Sequence, residues 1–177
     1  ATQWLSPLAE SRLTPLFDIP DPVLTGNETL ETHFAKRAKG ISEVWPNPRS
    51  VYVDMHNLPS QVRMASGAHP LTFVFDLLNM YGGRAIPVTG TMADRDPAYT
   101  SAVRAIIRRD RRGACLRLAR EDLEDRSKLT AAVSEILDSA GLTPVECDLL
   151  YDFRFVASKE ANGLRALALE ALEITVR

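Results

Sequence analysis

Six short apolar runs recur along the chain at intervals of 24 to 36 residues, and several end in a polar or charged residue. They are Pro15-Leu16-Phe17-Asp18-Ile19, Val51-Tyr52-Val53-Asp54-Met55, Ala85-Ile86-Pro87-Val88-Thr89, Ala114-Cys115-Leu116-Arg117-Leu118, Asp148-Leu149-Leu150-Tyr151-Asp152-Phe153 and Leu172-Glu173-Ile174-Thr175-Val176-Arg177. Segments with helical periodicity separate them. A repeat of this kind predicts β-α units around a parallel sheet, hence an α/β protein.

The first helix is expected from a cap at Thr25 or Asn27 to about Lys39, with Leu30, Phe34, Ala38 and Ile41 on one face. Pro70 suits the first turn of a second helix carrying Leu71, Val74, Phe75, Leu78 and Met80, closed by Tyr81-Gly82-Gly83. Asp96 and Pro97 start a third, with Tyr99, Val103, Ile106 and Ile107 facing inward. Ser127 is the expected cap of the next, whose stripe is Leu129, Ala132, Val133, Ile136 and Leu137 and whose stop is Gly141. Thr143-Pro144-Val145-Glu146 has capping-box spacing and predicts one short turn. A last helix, from about Lys159 to Ala171, precedes the sixth strand.

Successive strand residues point to opposite faces, so Val51, Val53 and Met55 oppose Tyr52, Asp54 and His56, and Leu149, Tyr151 and Phe153 oppose Leu150, Asp152 and Arg154. An open doubly wound sheet is covered on both faces and its central strands read as unbroken apolar runs. The alternation here fits a full or partial TIM-barrel-like parallel barrel better, with one face under helices and the other toward an axis. A flavodoxin-like open parallel sheet is the alternative.

Ligands of parallel sheets gather at the carboxyl ends of the strands. In the barrel, Asp18, Asp54, His56, Thr89, Arg117, Arg120, Asp152 and Arg154 surround one opening. Asp54, His56 and Asp152 are the catalytic candidates: carboxylates act as general bases or hold a divalent cation, and a histidine beside them moves protons. Asp18, Thr89, Arg117, Arg120 and Arg154 are the ligand-binding candidates, since guanidinium groups grip phosphate or carboxylate in bidentate geometry. Each has a plainer reading, as a turn, a cap or a structural histidine. The cluster Arg108, Arg109, Arg111 and Arg112 reads as a cationic helix C-terminus rather than a phosphate site. GxGxxG, GxxxxGK[ST] and GxSxG are all missing, so no dinucleotide fingerprint, P-loop or nucleophile elbow is claimed.

Length favours a single domain over residues 1–177. A net charge of −2 gives no bulk attraction to nucleic acid or anionic membrane. No apolar stretch approaches the roughly 20 residues that span a bilayer, and the first residues lack the pattern of a signal peptide, so a cytoplasmic location is expected. The two cysteines, Cys115 and Cys147, are expected to be buried reduced thiols. No cofactor motif is evident; the residue types allow a carboxylate-bound divalent cation.

The order of several segments resembles the phage-type beta protein family. The matching pieces are Pro15-Leu16-Phe17-Asp18-Ile19-Pro20, Val51-Tyr52-Val53-Asp54, Ala85-Ile86-Pro87-Val88, Asp110-Arg111-Arg112-Gly113-Ala114-Cys115-Leu116-Arg117-Leu118 and Cys147-Asp148-Leu149-Leu150-Tyr151-Asp152-Phe153. The resemblance implies a barrel-like α/β protein of phages and bacteria, without an activity that carries over residue by residue. Similar members are about twice this length, which implies a fragment of a longer barrel that needs further strands or a partner to close.

Two function classes follow. One is an interaction or binding scaffold associated with phage or phage defence; the other is a hydrolase or lyase acting on a small anionic or phosphorylated substrate. The terminal run Leu172 to Val176, read as an uncovered edge strand, also predicts a protein partner or a homo-oligomer.

Overall fold

The computed structural model describes residues 13–45, 49–91, 96–154, 156 and 160–175. The chain divides into two compact units, one of Ala1–Val88 with Asp96–Arg112 and one of Thr89–Arg95 with Gly113–Arg177.

The first unit contains β1 (Leu16–Asp18), α1 (Leu30–Val44), β2 (Ser50–Asp54), α2 (Pro70–Met80), β3 (Arg84–Thr89, whose last residue falls in the second unit) and α3 (Pro97–Asp110). β2 pairs in parallel with β1 on one side and β3 on the other: Leu16 lies opposite Tyr52, Asp18 opposite Asp54, and Tyr52 opposite Ile86. Strand order therefore follows chain order, and Asp18 and Asp54 meet at the same carboxyl end.

The cap of α1 is Thr29, not Thr25 or Asn27; its side chain accepts the Thr32 amide at 3.2 Å. The helix also runs past Lys39 to Val44, because Phe34, Ala38 and Ile41 continue a buried stripe and the Trp45 amide closes the last turn on the Ile41 carbonyl at 2.9 Å. α2 starts at Pro70 as expected, with His69 Nδ1 accepting the Leu71 amide at 3.1 Å. Phe34, Val53, Leu71, Val74, Phe75 and Ile106 are almost wholly buried. At about 1.5–3 kcal/mol per large side chain, this packing fixes where the strand ends lie.

The second unit contains β4 (Ala114–Ala119), α4 (Arg120–Leu123), α5 (Arg126–Ala140), a 3-10 turn (Pro144–Glu146), β5 (Cys147–Asp152) and α6 (Ala161–Thr175). β4 and β5 are parallel, with Leu116 opposite Leu149 and Leu118 opposite Tyr151. These residues share one core with Leu123, Leu129, Ile136 and Ala171, so the parity read from the sequence holds. Gly113, at φ +74, leads into β4 where a Cβ would collide with the Glu146 carbonyl oxygen.

Three expectations are corrected in this unit. Asp125, not Ser127, caps α5: its Oδ1 accepts the Lys128 amide at 3.2 Å and the Ser127 hydroxyl at 2.9 Å. α4 is an additional short helix, held by Asp122 Oδ2 accepting the Ala119 amide at 2.8 Å. The run from Leu172 through Thr175 is helical, the last turn of α6, and not a sixth strand. The strong helix formers Ala166, Leu167, Ala168, Leu169, Glu170 and Ala171 carry the helix through a local alternation that by itself suits a strand. The exposed edge that suggested a covering partner is thereby removed. Val176 and Arg177 lie outside the described residues.

The fold is thus α/β with parallel strands, five among the described residues, in open pieces of sheet. Openness matches the flavodoxin-like alternative, whereas the β1-β2-β3 order is the sequential winding that the barrel expects. Cys115 is buried and Cys147 half-buried, and neither is in a disulfide. Burial, reinforced by Asp148, pushes the Cys147 thiol up to about 11. No helix among the described residues is long and apolar enough to cross a membrane.

Candidate functional site

In the first unit the ends of β1 and β2 bring together Asp18, Asp54 and His56. Asp54 is completely buried, although the sequence placed it at an open mouth. Its Oδ1 accepts the His56 amide at 3.0 Å and faces the Tyr99 hydroxyl at 2.9 Å. Its Oδ2 lies 3.3 Å from His56 Nδ1, and Asp18 Oδ2 lies 3.9 Å from the same nitrogen. His56 is 26% exposed and the Asp18 side chain 36%, so the imidazole stands between a sealed carboxylate and one open to water.

Tyr99 was foreseen only as a core residue. Its hydroxyl also reaches the Val88 carbonyl at 2.8 Å and receives the Met55 amide at 3.4 Å. Its single proton has two acceptors in reach, Asp54 and the Val88 carbonyl, and the hydroxyl ties α3 to two strand ends. The available signal was general: a tyrosine on an inward stripe brings a hydroxyl that must find a partner. His69 stacks edge-on against Tyr99 with ring centroids 5.7 Å apart, and burial, aided by Arg63, lowers its pKa.

In the second unit Arg117 and Asp152 form an ion pair, with Arg117 Nε and Nη2 donating to Asp152 Oδ2 at 2.9 and 2.6 Å. The Arg154 amide donates to the other oxygen at 2.8 Å, with Arg154 in left-handed backbone at φ +53. Burial works to raise the Asp152 pKa, but the Arg154 amide and the Arg117 guanidinium outweigh it and hold the carboxyl below its usual range. Arg120 turns instead to Glu124 at 3.1 Å and Glu160 at 3.7 Å, and is half-exposed. Thr89 is buried at the end of β3.

The structure therefore groups Asp18, Asp54 and His56 within one unit, and Arg117, Asp152 and Arg154 within the other. Among the described residues no group of three or more His, Cys, Asp or Glu side chains is placed to hold a metal ion. The basic end of α3 is bound to its surroundings: Arg109 pairs with Asp76 and Asp110, and Arg112 Nη1 donates to Asn79 Oδ1 at 2.9 Å and to the Gly83 carbonyl at 3.1 Å.

Parallel βα units whose strand ends carry paired polar residues define the class: an α/β protein with its polar chemistry at the carboxyl edge. A family model described as Beta protein matches residues 1–176, nearly the whole chain. The chain belongs to the beta protein family. No curated protein and no solved structure matches it.

Proposed function

We propose that this beta-family protein is a binding scaffold, associated with phage or phage defence, whose βα units form part of a TIM-barrel-like assembly and present helices to another protein. The observation that carries this reading is the mutual satisfaction of the strand-end polar groups. Arg117 and Asp152 neutralise each other at 2.6 Å, and Asp54 is sealed against Tyr99. Residues spent on one another in this way order the ends of strands; a site for an anionic substrate would keep its guanidinium directed at the ligand.

One observation favours the hydrolase or lyase reading. A buried aspartate that orients a part-exposed histidine through Nδ1 is the arrangement of a general base, and Asp54 and His56 have it at 3.3 Å. In that reading His56 moves the proton and Asp18 stabilises its charged form, with a small anionic or phosphorylated compound as substrate.

The test uses the full chain as bait in extracts of phage-infected and uninfected cells, with cross-linking mass spectrometry, beside a panel of phosphate and carboxylate esters. The scaffold reading expects one protein, recovered in stoichiometric amount, cross-linked at fixed positions and still bound by His56→Ala. Turnover of an ester that His56→Ala abolishes, with no such partner, overturns it in favour of the enzyme.

A further inference from the structure

Arg104, Arg108, Arg109, Arg111 and Arg112 fall on the second half of α3 and the turn after it, within the first unit. Two of them are spent on their own surroundings: Arg109 on Asp76 and Asp110, Arg112 on Asn79 and the Gly83 carbonyl. The side chains of Arg104, Arg108 and Arg111 make no ion pair and no hydrogen bond among the described residues. Arg108 and Arg111 are exposed, and Arg104 is part-buried.

A helix C-terminus favours cations, which accounts for Arg108 and Arg111 in its last turn. Arg104 stands more than a turn before Asp110, where that attraction has faded. An arginine that only lays its stem on apolar surface keeps its charged head in water. The Arg104 Nε is instead buried with no hydrogen-bond partner, so a charged donor lacks an acceptor. At 3.6 residues per turn, Ser101, Arg104 and Arg108 fall within about 60° of one another, and Arg111 continues the row at the cap. The buried Tyr99, Val103 and Ile106 lie on the other side of the helix. The row is about 10 Å long from Arg104 to Arg111. Beside it Ser101 and Ala105 are exposed and short, so a second backbone can come close.

We propose that this face of α3 docks an acidic helix of a partner protein, whose carboxylates at i, i+4 and i+7 pair with Arg104, Arg108 and Arg111. The inference rests on the scaffold reading, and it names the helix presented and the chemistry of what it meets. A partner helix repeats its carboxylates on the rise and period of α3, so the two rows match pair by pair. A guanidinium holds a carboxylate through two parallel N–H donors, and the Arg104 Nε supplies one of them. A nucleic-acid strand fits less well. Neutralising three phosphates gives little affinity at physiological salt, and a net charge of −2 does not draw a polyanion.

The test is fluorescence anisotropy of a labelled, alanine-based helical peptide of about 18 residues with glutamates at i, i+4 and i+7, titrated with the full chain. A peptide of the same composition with its glutamates spread around the helix, and an oligothymidylate of about 12 nucleotides, run in parallel. The aligned peptide should bind saturably with a dissociation constant below about 1 mM, and more weakly in high salt. Affinity should fall about threefold in Arg104→Gln and in Arg108→Gln, and about tenfold in the double variant. Glutamine is a good helix former, so α3 is kept in each. Arg165→Gln, which removes an exposed arginine from α6, should change nothing. Arg108→Glu should weaken the aligned peptide and favour one with lysine at i+4, a swap that loss of structure would not produce. Equal binding of the spread peptide, tighter binding of oligothymidylate, no saturation by about 1 mM, or unchanged affinity in both glutamine variants overturns the proposal. Such a failure leaves the scaffold reading standing if the bait still holds its partner, whereas ester turnover lost in His56→Ala removes that reading without involving α3's arginines.

Discussion

The carboxyl ends of β2 and β5 share one local solution and differ in everything around it. Each ends in an aspartate that accepts the amide two residues on: His56 to Asp54 at 3.0 Å, Arg154 to Asp152 at 2.8 Å. This turn is short-range chemistry, and an aspartate supplies it wherever a strand stops. Beyond the turn, Asp54 is fully enclosed and meets a phenol and an imidazole, whereas the Asp152 side chain is 21% exposed and meets a guanidinium. A carboxylate withdrawn from water depends on every one of its partners. A partly exposed one retains water as a substitute.

The largest consequence concerns Asp54. Asp54→Ala should cost about 3 kcal/mol or more in urea unfolding, since it strips the buried Tyr99 hydroxyl and the His56 amide of an acceptor and opens a void. A loss below about 1 kcal/mol would place the two strand ends in one class after all. Tyr99→Phe comes next, at about 1–2 kcal/mol, because Asp54 and the Val88 carbonyl both lose their donor. Crystals of that variant should show a water in place of the hydroxyl if the cost falls at the low end.

The Arg117–Asp152 pair should couple by only about 1 kcal/mol in a double-mutant cycle of Arg117→Met and Asp152→Asn, and less in high salt. A coupling equal to the Asp54 loss would mean that the pair is more enclosed than its exposure indicates. The smallest effect is one of pH. The folded pKa of Asp152 lies below its unfolded value, so its contribution is complete above the ordinary carboxylate range of about 4 and is lost as pH falls through the folded pKa. Asp152→Asn should flatten that acid limb, and Arg117→Met should move the Asp152 midpoint upward in a carboxyl NMR titration. Midpoints that coincide in both proteins would remove Arg117 as a cause.

Strand positions were legible because burial acts through a period of two: Leu149, Tyr151 and Phe153 reach one core on the parity that the sequence predicts. Pro70 and the Thr143–Glu146 turn were legible because they depend on near neighbours. The sixth strand was misread for the same reason in reverse. Leu172 to Val176 alternates locally, but the helix formers before it decide its state. The cap at Thr29 was missed by two residues from Asn27 and four from Thr25, and that at Asp125 by two, since several nearby residues can cap and packing selects among them. In the candidate site, spacing paired Asp54 with His56, while Tyr99, from an element 45 residues away, was beyond its reach.

The in-order pairing of parallel strands bears on how the molecule is made. β1 waits only for β2, and β2 only for β3, each across a single intervening helix. Pairings between consecutive segments close the shortest loops that a parallel sheet allows, and they can form while later residues are still on the ribosome. The cost is a transient one. Until the next strand is synthesised, the newest one is a bare edge, open to any other extended segment. Synthesis that stalls after Asp54 would hold that edge open, and a ribosome-bound chain of that length should be more prone to aggregation than one carried on through β3.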